Sequence, residues 1–224
     1  MVDLLENGSP IASGADAVQE AAVRLQGGAV VAIPTDTVYG LAARIDRPDA
    51  LADIFRIKGR PDDRPLPILV DGHDTIGRLL DPEAAASPLT ARLLALAGQF
   101  WPGGLTVALL ARADLPGAVL APDGTAGFRI PADPTALHLL GAAGGALAVT
   151  SANRSGEPTP ADPQEIADAL RQQPHPLRWV LADGFRPGNA PSTVIGVGPG
   201  DVIIIHRQGA IAVDAILAAW EAGR

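Results

Sequence analysis

Four short polar segments of this 224-residue chain combine residue types able to hold a small anionic ligand. In Lys58-Gly59-Arg60-Pro61 a compact ammonium and a forked guanidinium lie two residues apart across a glycine. Such a pair suits a polyphosphate, with lysine as a point charge and arginine as a bidentate donor. The competing explanation is a helix C-terminus decorated with cations that complement the macrodipole, the commoner case for isolated residues. Lys58 is the only lysine among 17 basic residues, and Arg56, Arg60 and Arg64 crowd into the same short stretch. Pro34-Thr35-Asp36-Thr37-Val38-Tyr39-Gly40 offers hydroxyls and a turn whose backbone could face a ligand. Taken alone, it reads as an ordinary strand-to-helix turn capped by Thr and Asp. Thr150-Ser151-Ala152-Asn153 follows the apolar Ala146-Leu147-Ala148-Val149, so hydroxyls and an amide emerge from the core at a strand end. A polar cap on the next turn accounts for it equally well. The fourth segment joins Ser192-Thr193-Val194-Ile195 to Ile204-Ile205-His206-Arg207-Gln208-Gly209, where a strand-terminal arginine could equally pair with a surface carboxylate.

Other chemistries are absent. The only lysine stands in Ile57-Lys58-Gly59-Arg60, which excludes a P-loop. Gly196-Val197-Gly198-Pro199-Gly200 has the wrong spacing for a dinucleotide fingerprint and reads as a turn between two strands. His73, His138, His175 and His206 never pair at i, i+4 and read as surface or packed histidines. There is no G-x-S-x-G elbow. With no cysteine, thiolate nucleophiles, disulfides and zinc–thiolate sites are excluded.

These segments need a scaffold, and hydrophobic periodicity supplies one. Helices are expected over 15–26, 48–57, 88–100, 133–140, 162–172 and 213–222. Strands are expected over 29–33, 66–70, 105–110, 127–130, 147–150, 178–181, 193–197 and 202–206. Loops are expected over 116–127 and 153–163. Strand and helix alternate without a break in composition, which predicts one α/β domain around a buried, twisted sheet. The four polar segments then fall at the C-terminal ends of strands, where open α/β sheets bind ligands.

Composition agrees. At 47% apolar and 19% charged residues the chain can bury a substantial core. Its net charge of −8 disfavours binding nucleic acid through a broad basic face, while leaving room for a basic pocket. No stretch approaches the roughly 20 apolar residues that span a bilayer, and the N-terminus lacks a basic start before an apolar run. A cytoplasmic protein without membrane association is expected.

Taken together, the segments are specific. Pro-Thr-Asp-Thr-Val-Tyr-Gly-Leu (34–41), Lys-Gly-Arg-Pro followed by Pro65-Leu66, Trp-Pro-Gly-Gly-Leu-Thr (101–106), Phe128-Arg129-Ile130-Pro131, Ser-Ala-Asn-Arg-Ser-Gly (151–156) and Ser-Thr-Val-Ile (192–195) resemble, in order and spacing, the YrdC-like threonylcarbamoyl-AMP synthase family. The resemblance implies a YrdC-like domain over 15–209, with 210–224 as a C-terminal helix packed on it. The implied fold is a mixed parallel and antiparallel open sheet flanked by helices, with a concave ligand cavity. Longer members carry a C-terminal extension after a linker, so this chain reads as the short, single-domain form.

The implied activity joins L-threonine, bicarbonate or CO2, and ATP into threonylcarbamoyl-AMP and pyrophosphate, for use by a tRNA threonylcarbamoyl-transferase complex. The threonine amine adds to CO2, and the carbamate oxygen attacks the α-phosphorus as pyrophosphate leaves. Both reactants are anionic, so cations must hold them together. By resemblance Lys58 and Arg60 face phosphates and carbamate, with Mg²⁺ carried on ATP and no metal held by protein side chains. Thr37, Arg129 and Ser192 match threonine-side positions, with Arg129 clasping the carboxylate. Ser151, Asn153, Thr125, Thr159 and Arg207 match nucleotide-side positions, and Arg64 is a less secure third cation. No general base is assigned. Lys58, as a helix cap outside the core, is expected to tolerate alanine without loss of folding. Two readings compete: a non-catalytic RNA-binding or ribosome-associated paralogue, with weak direct RNA binding, and a carbamoyl-transfer module of a hydrogenase-maturation protein, which needs further domains.

Overall fold

The computed structural model describes residues 11–59, 64–171, 175–186 and 190–223. Its elements run β1 (Ile11–Ala12), α1 (Ala15–Gln26), β2 (Val31–Ile33), β3 (Gly40–Arg44), α2 (Pro48–Lys58), β4 (Ile68–Val70), α3 (His73–Leu79), α4 (Pro82–Ala85) and α5 (Pro88–Ala97). They continue with β5 (Leu105–Leu110), β6 (Thr125–Arg129), α6 (Pro134–Ala143), β7 (Ala146–Ser151), α7 (Pro163–Arg171), β8 (Val180–Leu181), β9 (Thr193–Gly198), β10 (Val202–Arg207) and α8 (Val213–Ala222).

Local chemistry sets several of these boundaries. α4, α5 and α6 begin alike, with Asp81, Ser87 or Asp133 accepting from a first-turn backbone N–H and proline at the next position, where its missing N–H costs nothing. α2 ends at Gly59, whose φ of 59° lies in the left-handed region that glycine adopts without strain.

Among the described residues the strands form one open sheet in the order β1-β8-β2-β3-β7-β4-β6-β5-β9-β10. Four pairings are parallel (β1/β8, β2/β8, β4/β6, β5/β9) and five antiparallel (β2/β3, β3/β7, β4/β7, β5/β6, β9/β10). The mixed, open sheet with flanking helices is therefore present. Because side chains alternate along a strand, neighbouring residues enter different cores. Ala32, Leu41, Ile68 and Phe128 pack with α2, α5 and α8 through residues such as Ile54, Leu93 and Trp220. Val31, Ile33, Ala42, Leu69 and Leu147 pack on the opposite face with Leu25 of α1 and Leu139 of α6.

The two faces are not covered equally. α1 and α6 shield the second face over β2, β3, β7 and β4, and the same face continues uncovered across β6, β5 and β9. In Thr125-Ala126-Gly127-Phe128-Arg129 the alternation is visible: Ala126 and Phe128 are buried in the first core, while Thr125, Gly127 and Arg129 line open space. This uncovered half is where ligand-binding geometry must be sought.

Several boundaries differ from the sequence expectations. The helix over 88–100 ends at Ala97, and a turn leads through the cis Trp101–Pro102 peptide into β5. Gly40–Arg44 is a strand although Ala42 and Ala43 carry no strand preference, because it pairs with β2 and β7 on its two sides. β1, α3 and α4 were not anticipated, being too short for a periodicity to register. The loop expected over 116–127 already contains the start of β6, and the helix over 133–140 continues to Ala143. Residue 172, the expected end of α7, lies outside the described residues.

Candidate active site

A cavity of about 580 Å³ occupies the uncovered half of the sheet, a size suited to a ligand larger than a single amino acid. Thr37, Thr125, Arg129, Ser151, Ser192 and Arg207 all line it. The chain thus brings together six of the ten anticipated residues from five separate segments. Arg64 lines it too. Arg60 lies outside the described residues. Thr159 is half-buried in the segment before α7 and does not line the cavity.

One end of the cavity is built on Arg129. Its Nε–H donates to the Gly103 carbonyl at 2.8 Å, Nη1 to Thr37 Oγ1 at 2.8 Å and Nη2 to Asp36 Oδ1 at 2.6 Å. Three of the five N–H groups of a guanidinium are thereby fixed, and two remain for a ligand. Asp36 also accepts from Ala132 N–H at 3.0 Å, so the carboxylate is itself held in place. Burial pulls the Arg129 guanidinium below the ordinary arginine value, the charge of Asp36 opposes this, and the charge of Arg207 adds to it. The turn carrying Thr37 is stiffened by Thr35, whose hydroxyl donates to the Val38 carbonyl at 2.6 Å.

Ser192 and Arg207 form a second cluster. Arg207 Nε and Nη2 both donate to the Ser192 carbonyl, and Nη2 reaches Ser192 Oγ at 3.1 Å. Thr106 Oγ1 donates to that same Oγ at 2.8 Å. Burial also holds the Arg207 guanidinium below its ordinary value. A β-bulge between Ile205 and Arg207 breaks the alternation, which lets His206 and Arg207 both face the cavity. Gly209 lies against the Ser192 segment so closely that a Cβ there would stand 2.0 Å from the Pro191 carbonyl oxygen.

Lys58 corrects the expectation of an exposed cap. It is 4% exposed. Its ammonium donates to the Ser151 carbonyl at 2.5 Å, the Asn153 carbonyl at 3.0 Å and Asn153 Oδ1 at 2.9 Å. Ser151 Oγ donates to the same Asn153 Oδ1 at 2.5 Å, while Asn153 Nδ2 donates to the carbonyls of Arg154 and Glu157. Lys58 and Asn153 therefore sit behind Ser151 as the support of the 151–157 turn, and only Ser151 lines the cavity. The apolar face of α2 explains the burial: Ile54, Phe55 and Ile57 draw the last helical turn into the core and carry Lys58 with it.

Residues that sequence reasoning passed over support the site or line it. Asp36 was visible in its motif but was treated as a turn cap. Thr106, Tyr39 and Asp123 gave no signal beyond their polarity, and His206 was read as an ordinary surface or packed histidine. Tyr39 is fully buried apart from its cavity contact, and its hydroxyl donates to Gly184 O at 2.8 Å and accepts from Asp183 N–H at 3.0 Å. Among the described residues no group of three or more His, Cys, Asp or Glu is placed to hold a metal ion, and no helix is long and apolar enough to cross a membrane.

Residues 23–209 match the family Sua5/YciO/YrdC, described as telomere recombination. The chain belongs to the Sua5/YciO/YrdC family. It is 33% identical over 204 residues to the threonylcarbamoyl-AMP synthase of Bacillus subtilis (strain 168), covering 89% of this chain and 55% of that protein. It is 30% identical over 186 residues to the threonylcarbamoyl-AMP synthase of Alkalilimnicola ehrlichii, covering 83% of this chain and 94% of that one. The crystal structure of P. abyssi Sua5 complexed with L-threonine superimposes with a TM-score of 0.81 at 29% identity, over 93% of this chain and 59% of Sua5. The chain thus spans little more than half the length of the longer Sua5-type relatives.

Proposed function

We propose that the protein forms threonylcarbamoyl-AMP and pyrophosphate from L-threonine, bicarbonate or CO2, and ATP. The observation that carries this reading is the single cavity joining Thr37, Arg129 and Ser192 to Thr125, Ser151 and Arg207, in a chain similar to proteins named for that product.

In this reading the two uncommitted N–H groups of Arg129 take the threonine carboxylate, a charge-assisted and geometrically selective contact. Thr37 and Ser192 border the same end and orient the amino acid. The threonine amine adds to CO2, and the carbamate oxygen displaces pyrophosphate from the α-phosphorus of ATP. Two anions must be brought together for this, and Arg207, Arg64 and Arg60 supply the opposing charge. Ser151 presents a hydroxyl to the nucleotide from a turn that Lys58 and Asn153 hold rigid. Lys58 thus contributes its charge to the cavity wall from just behind it. Mg²⁺ prefers oxygen ligands, and it would arrive on the phosphate oxygens of ATP, at the arginine end of the cavity, without a protein side chain as ligand. Bound there, it would supply charge neutralisation for a pyrophosphate leaving group. No carboxylate or imidazole is assigned a proton-transfer step, so rate enhancement comes from positioning and electrostatics. The product's mixed carbamic–phosphoric anhydride is suited to hand its threonylcarbamoyl group, with AMP as the leaving group, to a tRNA threonylcarbamoyl-transferase complex in the cytoplasm.

The test is pyrophosphate release from ATP and bicarbonate with and without L-threonine. Threonine-dependent release is expected. Its absence, with tight RNA binding instead, would establish the RNA-binding reading.

A further inference from the structure

Among the described residues three arginines line the cavity, Arg64, Arg129 and Arg207, and one carboxylate, Asp123. An acid inside a chamber built for a polyphosphate is repulsive unless it faces an uncharged part of the ligand. Asp123 is anchored for such a task. Its Oδ1 accepts from Thr125 N–H at 3.0 Å and from Thr125 Oγ1 at 2.7 Å, which leaves Oδ2 for the cavity. These two bonds, together with the nearby His206, hold its carboxyl below the usual carboxylate range, so it is an acceptor at neutral pH.

His206 lies beside it. With Ile203 and Ile205 in the core, the alternation of β10 puts its ring on the cavity face, where it lies across Gly196: a Cβ on that glycine would stand 2.7 Å from His206 Nε2 and 3.6 Å from the Ala108 Cβ. Ala108 and Gly127, paired across β5 and β6, continue the cavity floor from there. The result is an aromatic ring above a low floor, with a carboxylate at its edge and the arginine fork of Arg207 turned away toward Ser192.

We propose that His206 and Asp123 form the nucleoside end of the cavity, with the imidazole stacking on the base and the carboxylate accepting from nucleoside N–H or O–H groups. This rests on ATP being the nucleotide, as in the function proposed above. It fixes the direction in which the nucleotide lies, since phosphates are repelled from Asp123 and drawn to the arginines.

The experiment measures ATP and tripolyphosphate affinity by calorimetry, and the KM for ATP and threonine, in the full chain. Base–aromatic stacking predicts that His206→Ala weakens ATP binding about tenfold, and His206→Phe restores most of that loss. Asp123→Asn keeps the bonds to Thr125 and weakens ATP about fivefold. Tripolyphosphate affinity and the threonine KM stay as in the parent for all three. Parent-like ATP affinity in His206→Ala, equal weakening of ATP and tripolyphosphate, or a His206→Phe protein as weak as the alanine variant each overturn the proposal. A parent protein that binds ATP with these dependences yet releases no threonine-dependent pyrophosphate removes the synthase reading and leaves this subsite standing; one that binds no ATP overturns the subsite.

Discussion

Arg129 and Asp36 meet at 2.6 Å with only 6% and 18% of their side chains exposed. The pair comes from the ends of two distant segments, the turn after β2 and the last residue of β6. It closes one end of the cavity and decides which N–H groups of the arginine face outward.

Asp36→Ala removes the carboxylate and leaves a buried guanidinium uncompensated. Breaking one side of such a pair costs about 3 kcal/mol, so urea denaturation is expected to show that loss, and threonine KM to rise. Replacing both residues, Asp36→Ala with Arg129→Met, should recover part of the stability and none of the activity. A double variant as unstable as the sum of the singles would show that the pair contributes nothing by its coupling.

Lys58→Ala is expected to cost stability as well as activity. The substitution removes the donor of the Asn153 carbonyl and one of two donors from each of the Ser151 carbonyl and Asn153 Oδ1, at a cost of about 2 kcal/mol. Denaturation midpoints and pyrophosphate release, measured on the same preparations, check both. A parent-like midpoint would restore the picture of a surface cap.

Tyr39 is the only tyrosine in the chain, so tyrosinate absorbance reports this residue alone. Burial raises its pKa above 10.0, while the Asp183 N–H and the charge of Arg186 pull in the opposite direction. The folded value lies above the unfolded one, so the associated stability is complete below pH 10.0 and is lost as pH rises through the folded value. The absorbance change is expected to coincide with alkaline unfolding. In Tyr39→Phe that alkaline loss is removed, and stability at neutral pH falls by about 1–2 kcal/mol with the two lost hydrogen bonds. Ionisation in a protein that stays folded at pH 10 would contradict the burial.

Gly209→Ala is expected to push the Ser192 segment off Arg207. The added Cβ would lie 2.0 Å from the Pro191 oxygen and 2.6 Å from the Ser192 carbonyl carbon, so backbone must move. Overpacking of this kind costs about 2 kcal/mol. Calorimetric melting, with nucleotide and threonine affinities, tests whether the strain reaches the cavity.

The scaffold was legible where periodicity ran long. Helices 15–26 and 213–222 fall where their spacing placed them, and 105–110 is the strand that its apolar run predicted. β3 was missed because Gly40-Leu41-Ala42-Ala43 carries no strand propensity; its pairing with β2 and with β7, the latter joining Ala42 to Val149 across 107 residues of sequence, imposes the conformation. For the candidate site, motif order gathered six cavity residues. The burial of Lys58 was missed because it depends on how deeply α2 sinks, and no local signal reports that depth. His206 was passed over for a similar reason: it alternates with the core residues Ile203 and Ile205, and no local signal reports that the opposite face of β10 borders a cavity.

The buried ammonium has a chemical corollary. Since no other lysine exists in the chain, acylating reagents directed at side-chain amines have one target, and the fold hides it beneath the 151–157 turn. Modification of Lys58 therefore requires that turn to lift away, and its rate is a clock for that local opening, readable without any introduced probe.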